Sequence, residues 1–292
     1  MFLLIILPLS ARFFLMPPRA FAQEELKSAL KEVTEKIGAI SDIQDNNALS
    51  QKEKDEKELT ARKEALSKIF DLTILEDKDL EARLNSLKKL SKEHEAMRTS
   101  FLGILQENNN AYIELRKRLE TIDSVDAVKQ LALDFKDWRT AVYNPKVEQI
   151  IIFTLIFREK QILATARDRF TKIESDLEKL EGAKLLKRED TADALKKIEN
   201  TLLTAEILHT QAQQLGIVLL KEKLDVYINA STGTTTPVLD PKATTTISIG
   251  FKKEPYDLGS VKVLLEESLR QIKLTYAQLV EVANVVKAKI GL

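Results

Sequence analysis

The sequence predicts an all-α protein, an elongated antiparallel bundle of long, coiled-coil-like helices. Its composition supports this fold class, because charged residues make up 31% and apolar residues 44% of the 292 positions, with only eight Gly and seven Pro. Its periodicity supports it too, because several segments alternate three and four residues between apolar positions, as a helix with one buried stripe requires. The chain has no cysteine, so its stability must come from packing rather than from disulfides.

Residues 1–22 are predicted to be a secretory signal peptide. The segment is apolar, and Ala20 and Ala22 supply the small side chains that signal peptidase requires before Gln23. An uncleaved membrane anchor is the alternative. However, Arg12 and three prolines break an apolar run that already falls short of the roughly 20 residues that cross a bilayer. We therefore expect cleavage after Ala22 and an extracytoplasmic location, whether periplasmic, cell-surface or secreted.

Residues 23–143 are predicted to form an N-terminal helical region. Ser50 with Glu53, and Asp123 with Asp126, have the spacing of capping boxes, in which side chains satisfy free N–H groups of a first helical turn. We expect helices at about residues 24–45, 51–70, 77–106, 110–121 and 124–142. The first of them carries an apolar seam at Leu26, Leu30, Val33, Ile37 and Ile40.

Residues 144–292 are predicted to form a long-helix hairpin followed by a final helix. Asn144 before Pro145 is typical of an N-cap and a first helical position. Gly182 begins a short turn between two helices, which we expect at about residues 145–181 and 191–230. Helices of this length extend about 55 to 60 Å. The first has an apolar seam at Leu163, Ala166, Phe170, Ile173, Leu177 and Leu180.

The final helix is predicted at about residues 258–290. Its apolar residues step regularly by four and three positions, which indicates a seam buried against another helix. The seam consists of Leu265, Leu269, Ile272, Tyr276, Leu279, Ala283, Val286 and Ile290.

The Thr-rich segment 231–257 is the long non-helical stretch of the mature chain. Thr, Ile and Phe alternate in it, which favours extended backbone and a small β-hairpin across residues 239–242. A flexible loop is the alternative, because loops of this length are commonly functional or disordered.

The chemistry that the sequence offers argues against an enzyme. Glu206 and His209 have the Glu-x-x-His spacing of di-iron helical bundles, but Ser91 stands where a matching glutamate before His94 is needed. The sequence has no phosphate-binding glycine loop and no Gly-x-Ser-x-Gly nucleophile motif. We therefore predict a non-enzymatic protein without a metal or any other cofactor.

The overall charge argues against nucleic acid as a partner. The chain holds 45 basic and 45 acidic residues, whereas a nucleic-acid-binding domain typically has a strongly basic surface. We expect instead a protein partner, or self-association through the helical seams. Peripheral association with a membrane or a cell wall is a further alternative.

One candidate interaction surface is the cluster of Trp138, Arg139 and Tyr143. These are the residue types that are enriched at binding hot spots. The structural alternative is that Trp138 fills a corner between helices while Arg139 caps backbone carbonyls.

Two apolar segments are further candidates. The run at residues 147–157, which includes Ile151 and Leu155, is either the centre of the fold or a surface for a partner or a lipid. Leu269 and Leu279 belong to the seam of the final helix. That seam packs either within the chain or against a second chain, since both arrangements bury the same positions.

The sequence therefore predicts a non-enzymatic, extracytoplasmic scaffold or protein-interaction protein of the cell envelope. The alternative function is that of a helical bundle that binds an apolar ligand, a lipid or a membrane surface.

Overall fold

The computed structural model describes residues 20–232 and 257–290, with side-chain environments from residue 24 to 226 and from 257 to 290. This part of the chain is an all-α helical bundle without strands, which confirms the predicted fold class. The helices are α1 (Ala20–Asp45), α2 (Gln51–Asn85), α3 (Lys92–Thr121), α4 (Val125–Trp138), α5 (Asn144–Gly182), α6 (Ala192–Thr232) and α7 (Leu258–Ile290).

Two predictions fall on residues outside this description. Most of the predicted signal peptide, residues 1–19, lies outside it, and so does most of the Thr-rich segment, residues 233–256, with the predicted β-hairpin. Within the described residues, no helix is both long and apolar enough to cross a membrane.

The chain divides into two compact units, Met1–Ile151 and Ile152–Leu292. The boundary lies inside α5, eight residues after the start of that helix. The N-terminal unit therefore contains α1 to α4 and the first two turns of α5, and the C-terminal unit contains the rest of α5 with α6 and α7.

In the N-terminal unit, α2 packs against α1, α3 and α4. The capping box at the start of α2 is confirmed, because Ser50 Oγ accepts a hydrogen bond from the Glu53 N–H while the Glu53 carboxylate accepts one from the Ser50 N–H. The predicted seam of α1 faces inward, with Val33 and Ile40 buried. The largest fully buried apolar side chains of the unit include Leu66, Ile69, Phe70, Leu80, Leu84, Phe101, Ile104, Leu131 and Phe135.

The predicted break after residue 70 is wrong. Helix α2 continues to Asn85, because the polar residues Thr73, Glu76 and Asp77, which interrupt its apolar pattern, are themselves buried. The chain turns instead at residues 86–91. There Ser91 Oγ accepts a hydrogen bond from the His94 N–H and caps α3, which then runs unbroken to Thr121.

The predicted N-cap at Asn144 is also wrong. Asn144 has helical dihedral angles (φ −59°, ψ −42°), and its N–H donates to the carbonyl of Arg139, five residues earlier. The chain thus passes from α4 to α5 through a π-helical turn, Arg139–Tyr143. Pro145 has no N–H group, and its ring would clash with a regular helix. Such one-turn π segments are known inside α-helices.

In the C-terminal unit, residues of α5, α6 and α7 pack together in two core clusters. The α5 seam is buried as predicted, with Leu163, Ala166, Phe170 and Leu177 all less than a tenth exposed. Gly216 on α6 allows a close approach of the three helices, because a Cβ atom there would lie 2.7 Å from Ile156 Cδ1 and 3.0 Å from Val261 Cγ1.

The α7 seam is rotated from its predicted position. Ser268 and Thr275 occupy its centre, whereas Ala283 is exposed. Their short polar side chains fit because their hydroxyls donate to backbone carbonyls, Ser268 to Ala205 on α6 and Thr275 to Gln271 on α7. The buried positions still follow the heptad spacing, and they are Val261, Leu265, Ser268, Ile272, Thr275, Leu279 and Val282.

Candidate functional site

The structure places Arg139 and Tyr143 in a buried polar cluster of the N-terminal unit. One guanidinium nitrogen of Arg139 donates to Thr73 Oγ1 at 2.7 Å, and the other donates to a carboxylate oxygen of Glu76 at 3.1 Å. The Tyr143 hydroxyl donates to Asp77 at 2.9 Å. The π-helical turn that precedes α5 carries both Arg139 and Tyr143 toward α2. We call these five residues the Arg139 cluster.

Aromatic rings surround the guanidinium. The Arg139 Cζ atom lies 4.6 Å from the centroid of the Tyr143 ring and 5.8 Å from that of Phe135, distances at which a cation is attracted to an aromatic ring. Trp138, which is half-buried, makes an edge contact with Tyr112 and lies 5.7 Å from the Tyr143 ring. The predicted residues Trp138, Arg139 and Tyr143 are therefore brought together, and their rings and charges point into the unit.

The Arg139 cluster contains more potential negative charge than positive charge. One guanidinium faces the carboxyl groups of Glu76 and Asp77, and all three side chains are less than a tenth exposed. Burial raises the pKa of Glu76 to about 6, although the Arg139 charge opposes the shift. Burial also raises the pKa of Asp77 to about 7, and the neighbouring Glu76 adds to the increase. One carboxyl group is therefore readily protonated near neutral pH.

A second buried ionisable pair lies in the C-terminal unit. His209 Nδ1 on α6 lies 3.8 Å from a carboxylate oxygen of Glu159 on α5, and both side chains are less than a tenth exposed. No atom of the described residues forms a hydrogen bond with either carboxylate oxygen or either ring nitrogen. Glu206, one turn before His209, instead forms a bidentate ion pair with Arg167 on α5, at 3.0 and 2.7 Å. The two residues of the sequence motif Glu206-x-x-His209 therefore lie against different partners, Glu206 against Arg167 and His209 against Glu159.

Neither cluster has the ligand set of a metal centre. Across residues 20–232 and 257–290, no group of three or more His, Asp or Glu side chains could hold a metal ion. His94 is half-buried, and its Nδ1 shares a hydrogen bond with the capping hydroxyl of Ser91.

No protein-family model, no curated protein and no solved structure matches this chain.

The other predicted interaction residues lie in or beside the core. Leu155 and Leu279 are each 5% exposed, and Leu279 belongs to the core of the C-terminal unit. Leu269 is half-buried and packs against Leu163, Ala205 and Ile272. Ile151 is half-buried. Leu155, Leu269 and Leu279 are therefore engaged within the chain.

A surface that the sequence prediction missed lies on the side of α6 that faces away from α5 and α7. Leu203 and Ile207 are 50% and 51% exposed, and Val218 is 38% exposed. We call this surface the α6 outer face, and it consists of Leu203, Ile207, Thr210, Gln211, Gln214 and Val218. All six side chains are exposed, and they recur at helical spacing over about four turns.

The α6 outer face is uncharged in a chain of which nearly a third is charged. From Ile207 to Leu220 the sequence contains no Asp, Glu, Lys or Arg. The outer side of α7 differs, because an exposed ion pair between Glu267 and Arg270 separates its exposed apolar residues Val263 and Leu274. An exposed helix face without charges is atypical of a solvated surface, which makes the α6 outer face a candidate docking surface. The absence of charge from Ile207 to Leu220 is the sequence signal that could have revealed it.

Proposed function

We propose that this protein is a non-enzymatic helical interaction protein that docks a protein partner on the α6 outer face. The observation that carries the proposal is the exposed, uncharged side of α6, in a unit whose own seams are already filled. Such a face resembles the apolar side of an amphipathic helix that lies against another helix. The predicted extracytoplasmic location is part of the proposal.

The burial of the ionisable clusters supports a non-enzymatic role. Arg139, Glu76 and Asp77 are enclosed by their own helices, and so are Glu159 and His209. A catalytic acid or base must come within hydrogen-bond reach of its substrate. Side chains that are less than a tenth exposed in a packed helical core do not offer that reach.

The composition of the α6 outer face favours a protein over a lipid surface. Helices that lie on membranes combine Trp, Phe or Leu on one side with many Lys and Arg residues along the other. The α6 outer face has neither aromatic nor basic residues, and its centre consists of Thr210, Gln211 and Gln214. Amide side chains can form hydrogen bonds with a facing helix.

Site-specific photocrosslinking in the producing cells tests this proposal. A photoreactive amino acid at Ile207 is expected to form covalent adducts with protein. The same group at Val263 is the matched control, since Val263 is apolar and 63% exposed but lies on the outer side of α7. Adducts from position 207 that exceed those from position 263 support the proposal. Equal yields from both positions, or adducts with lipid only, contradict it.

A further inference from the structure

We infer that the partner on the α6 outer face is a second copy of this chain, docked with its α6 helix antiparallel about a two-fold axis near residues 210 and 211. This inference rests on the proposed function and names its partner. It follows from the order of residues along the exposed side of α6.

Two of the three residue pairs of the α6 outer face match in polarity about a point between Thr210 and Gln211, and in the third pair Ile207 lies opposite Gln214. Leu203 lies seven residues before Thr210, and Val218 lies seven residues after Gln211. In an antiparallel pair centred between Thr210 and Gln211, each Leu203 therefore faces the Val218 of the other copy. The two polar residues at the centre face each other across the axis. A two-fold interface requires this self-complementarity, because the same surface is used by both copies.

One pair of charges beyond the two ends of the face is complementary in the same arrangement. Lys196 lies fourteen residues before Thr210, and Asp225 lies fourteen residues after Gln211. Both side chains are exposed, and helical spacing places both on the outer side of α6. Antiparallel pairing brings Lys196 of each copy opposite Asp225 of the other. Parallel pairing would instead place like charges together, which disfavours that alignment.

The same geometry predicts a weak dimer. The paired segment from Lys196 to Asp225 is about 44 Å long at 1.5 Å per residue. A single helix pair lies at the lower end of interface sizes, where complexes are transient. We therefore expect the dimer to dissociate at micromolar concentration.

Single cysteines in the full-length chain test the arrangement, and the natural chain has none to interfere. Gln211→Cys, close to the axis, is expected to form a disulfide-linked dimer on mild oxidation. Leu203→Cys and Val218→Cys are expected to link to each other when the two variants are mixed, but neither is expected to link to itself. Val263→Cys is the exposed control.

Charge reversal gives an independent measurement in the same full-length chain. By sedimentation equilibrium, Lys196→Glu is expected to weaken dimerisation at least several-fold. The double variant Lys196→Glu with Asp225→Lys restores opposite charges and is expected to recover most of the loss. Both substitutions are exposed on the surface, so folding should be preserved, and circular dichroism confirms this.

Three results would overturn the inference. The first is a monomeric mass at all concentrations up to about 100 μM, which is ten or more times above the micromolar dissociation expected for a transient interface. The second is a disulfide between two copies of Leu203→Cys. The third is a yield of disulfide-linked Gln211→Cys dimer no greater than that of Val263→Cys. If these occur while position 207 still crosslinks to a different protein in cells, the second copy is wrong and the proposed function survives. If position 207 also crosslinks to no protein, both are wrong.

Discussion

Arg139 lies 3.1 Å from the carboxylate of Glu76 in the interior of the N-terminal unit, although 63 residues separate them in sequence. This ion pair joins the π-helical turn before α5 to the middle of α2. Because Asp77 lies beside it with a second carboxyl group, the charge state of the cluster depends on pH.

The N-terminal unit should become less stable as pH rises from 5 to 8. The folded-state pKa values of Glu76 and Asp77, about 6 and about 7, lie above those of the unfolded chain. The folded state therefore binds more protons in this range. The stabilisation that these two groups contribute is complete at low pH and is lost as pH rises through 6 and 7. Since one pKa unit corresponds to about 1.4 kcal/mol, the two groups together predict a loss of about 4 kcal/mol in the free energy of unfolding between pH 5 and 8. Urea titrations that follow the fluorescence of Trp138, the single tryptophan, measure it.

The variant Asp77→Asn is the control for this pH dependence. Its side chain has nearly the same shape and stays neutral, so the variant should lose less stability than the natural chain between pH 5 and 8. An unchanged or rising stability of the natural protein over this range would refute the assignment.

Replacing Arg139 by Met should destabilise the N-terminal unit by about 3 to 5 kcal/mol, because it leaves buried carboxyl groups without their positive partner. Arg118→Met is the matched control in the same unit. Arg118 pairs with Asp134 at the surface, where ion pairs contribute little, so its removal should hardly change the urea midpoint. Equal effects of the two substitutions would show that the Arg139 ion pair is not structural.

The Arg139 cluster also shows which residues of a buried site the sequence indicates and which it does not. The aromatic and basic residues were visible in sequence, but their partners Thr73, Glu76 and Asp77 were not. A polar run on a helix is normally a solvated face, and only the long-range contact with Arg139 makes burial favourable here. For the same reason the prediction ended α2 too early.

The other features that the sequence predicted wrongly or not at all have similar causes. Fold class and the α1 and α5 seams were predictable, because apolar spacing reports the buried face of a helix directly. The α7 seam was rotated, because Ser268 and Thr275 satisfy their hydroxyls on backbone carbonyls, which apolar spacing does not register. The α6 outer face was missed because its apolar residues were not separated from the buried ones on the opposite side.

Glycine substitutions should distinguish a packed position from an open one. Gly103→Ala on α3 should raise the free energy of unfolding by about 0.5 to 1 kcal/mol, since a Cβ there meets no atom within 4 Å and alanine favours the helix. Gly216→Leu on α6 should lower it by about 1 to 3 kcal/mol, because the side chain must enter the space held by Ile156 and Val261. Thermal unfolding followed by circular dichroism measures both. A neutral Gly216→Leu would contradict the close helix approach.

Replacing the buried pair Glu159 and His209 by Met and Leu should leave the C-terminal unit at least as stable as before, with a gain of up to about 4 kcal/mol. Neither side chain forms a hydrogen bond with a described residue, so burial costs are poorly offset. His209→Leu alone should be less stable than the double variant, because it leaves Glu159 without its partner. Urea unfolding by circular dichroism compares them, and a double variant less stable than either single one would contradict this view.

The most direct test of the central claim is to place a photocrosslinker at Val218 and alter the rest of the α6 outer face. Ile207→Glu puts a charge into the face and should strongly reduce the yield of protein adducts in the producing cells. Val263→Glu adds the same charge on α7 and should leave the yield unchanged. If Ile207→Glu leaves the adducts as abundant as Val263→Glu does, the α6 outer face is not the docking surface.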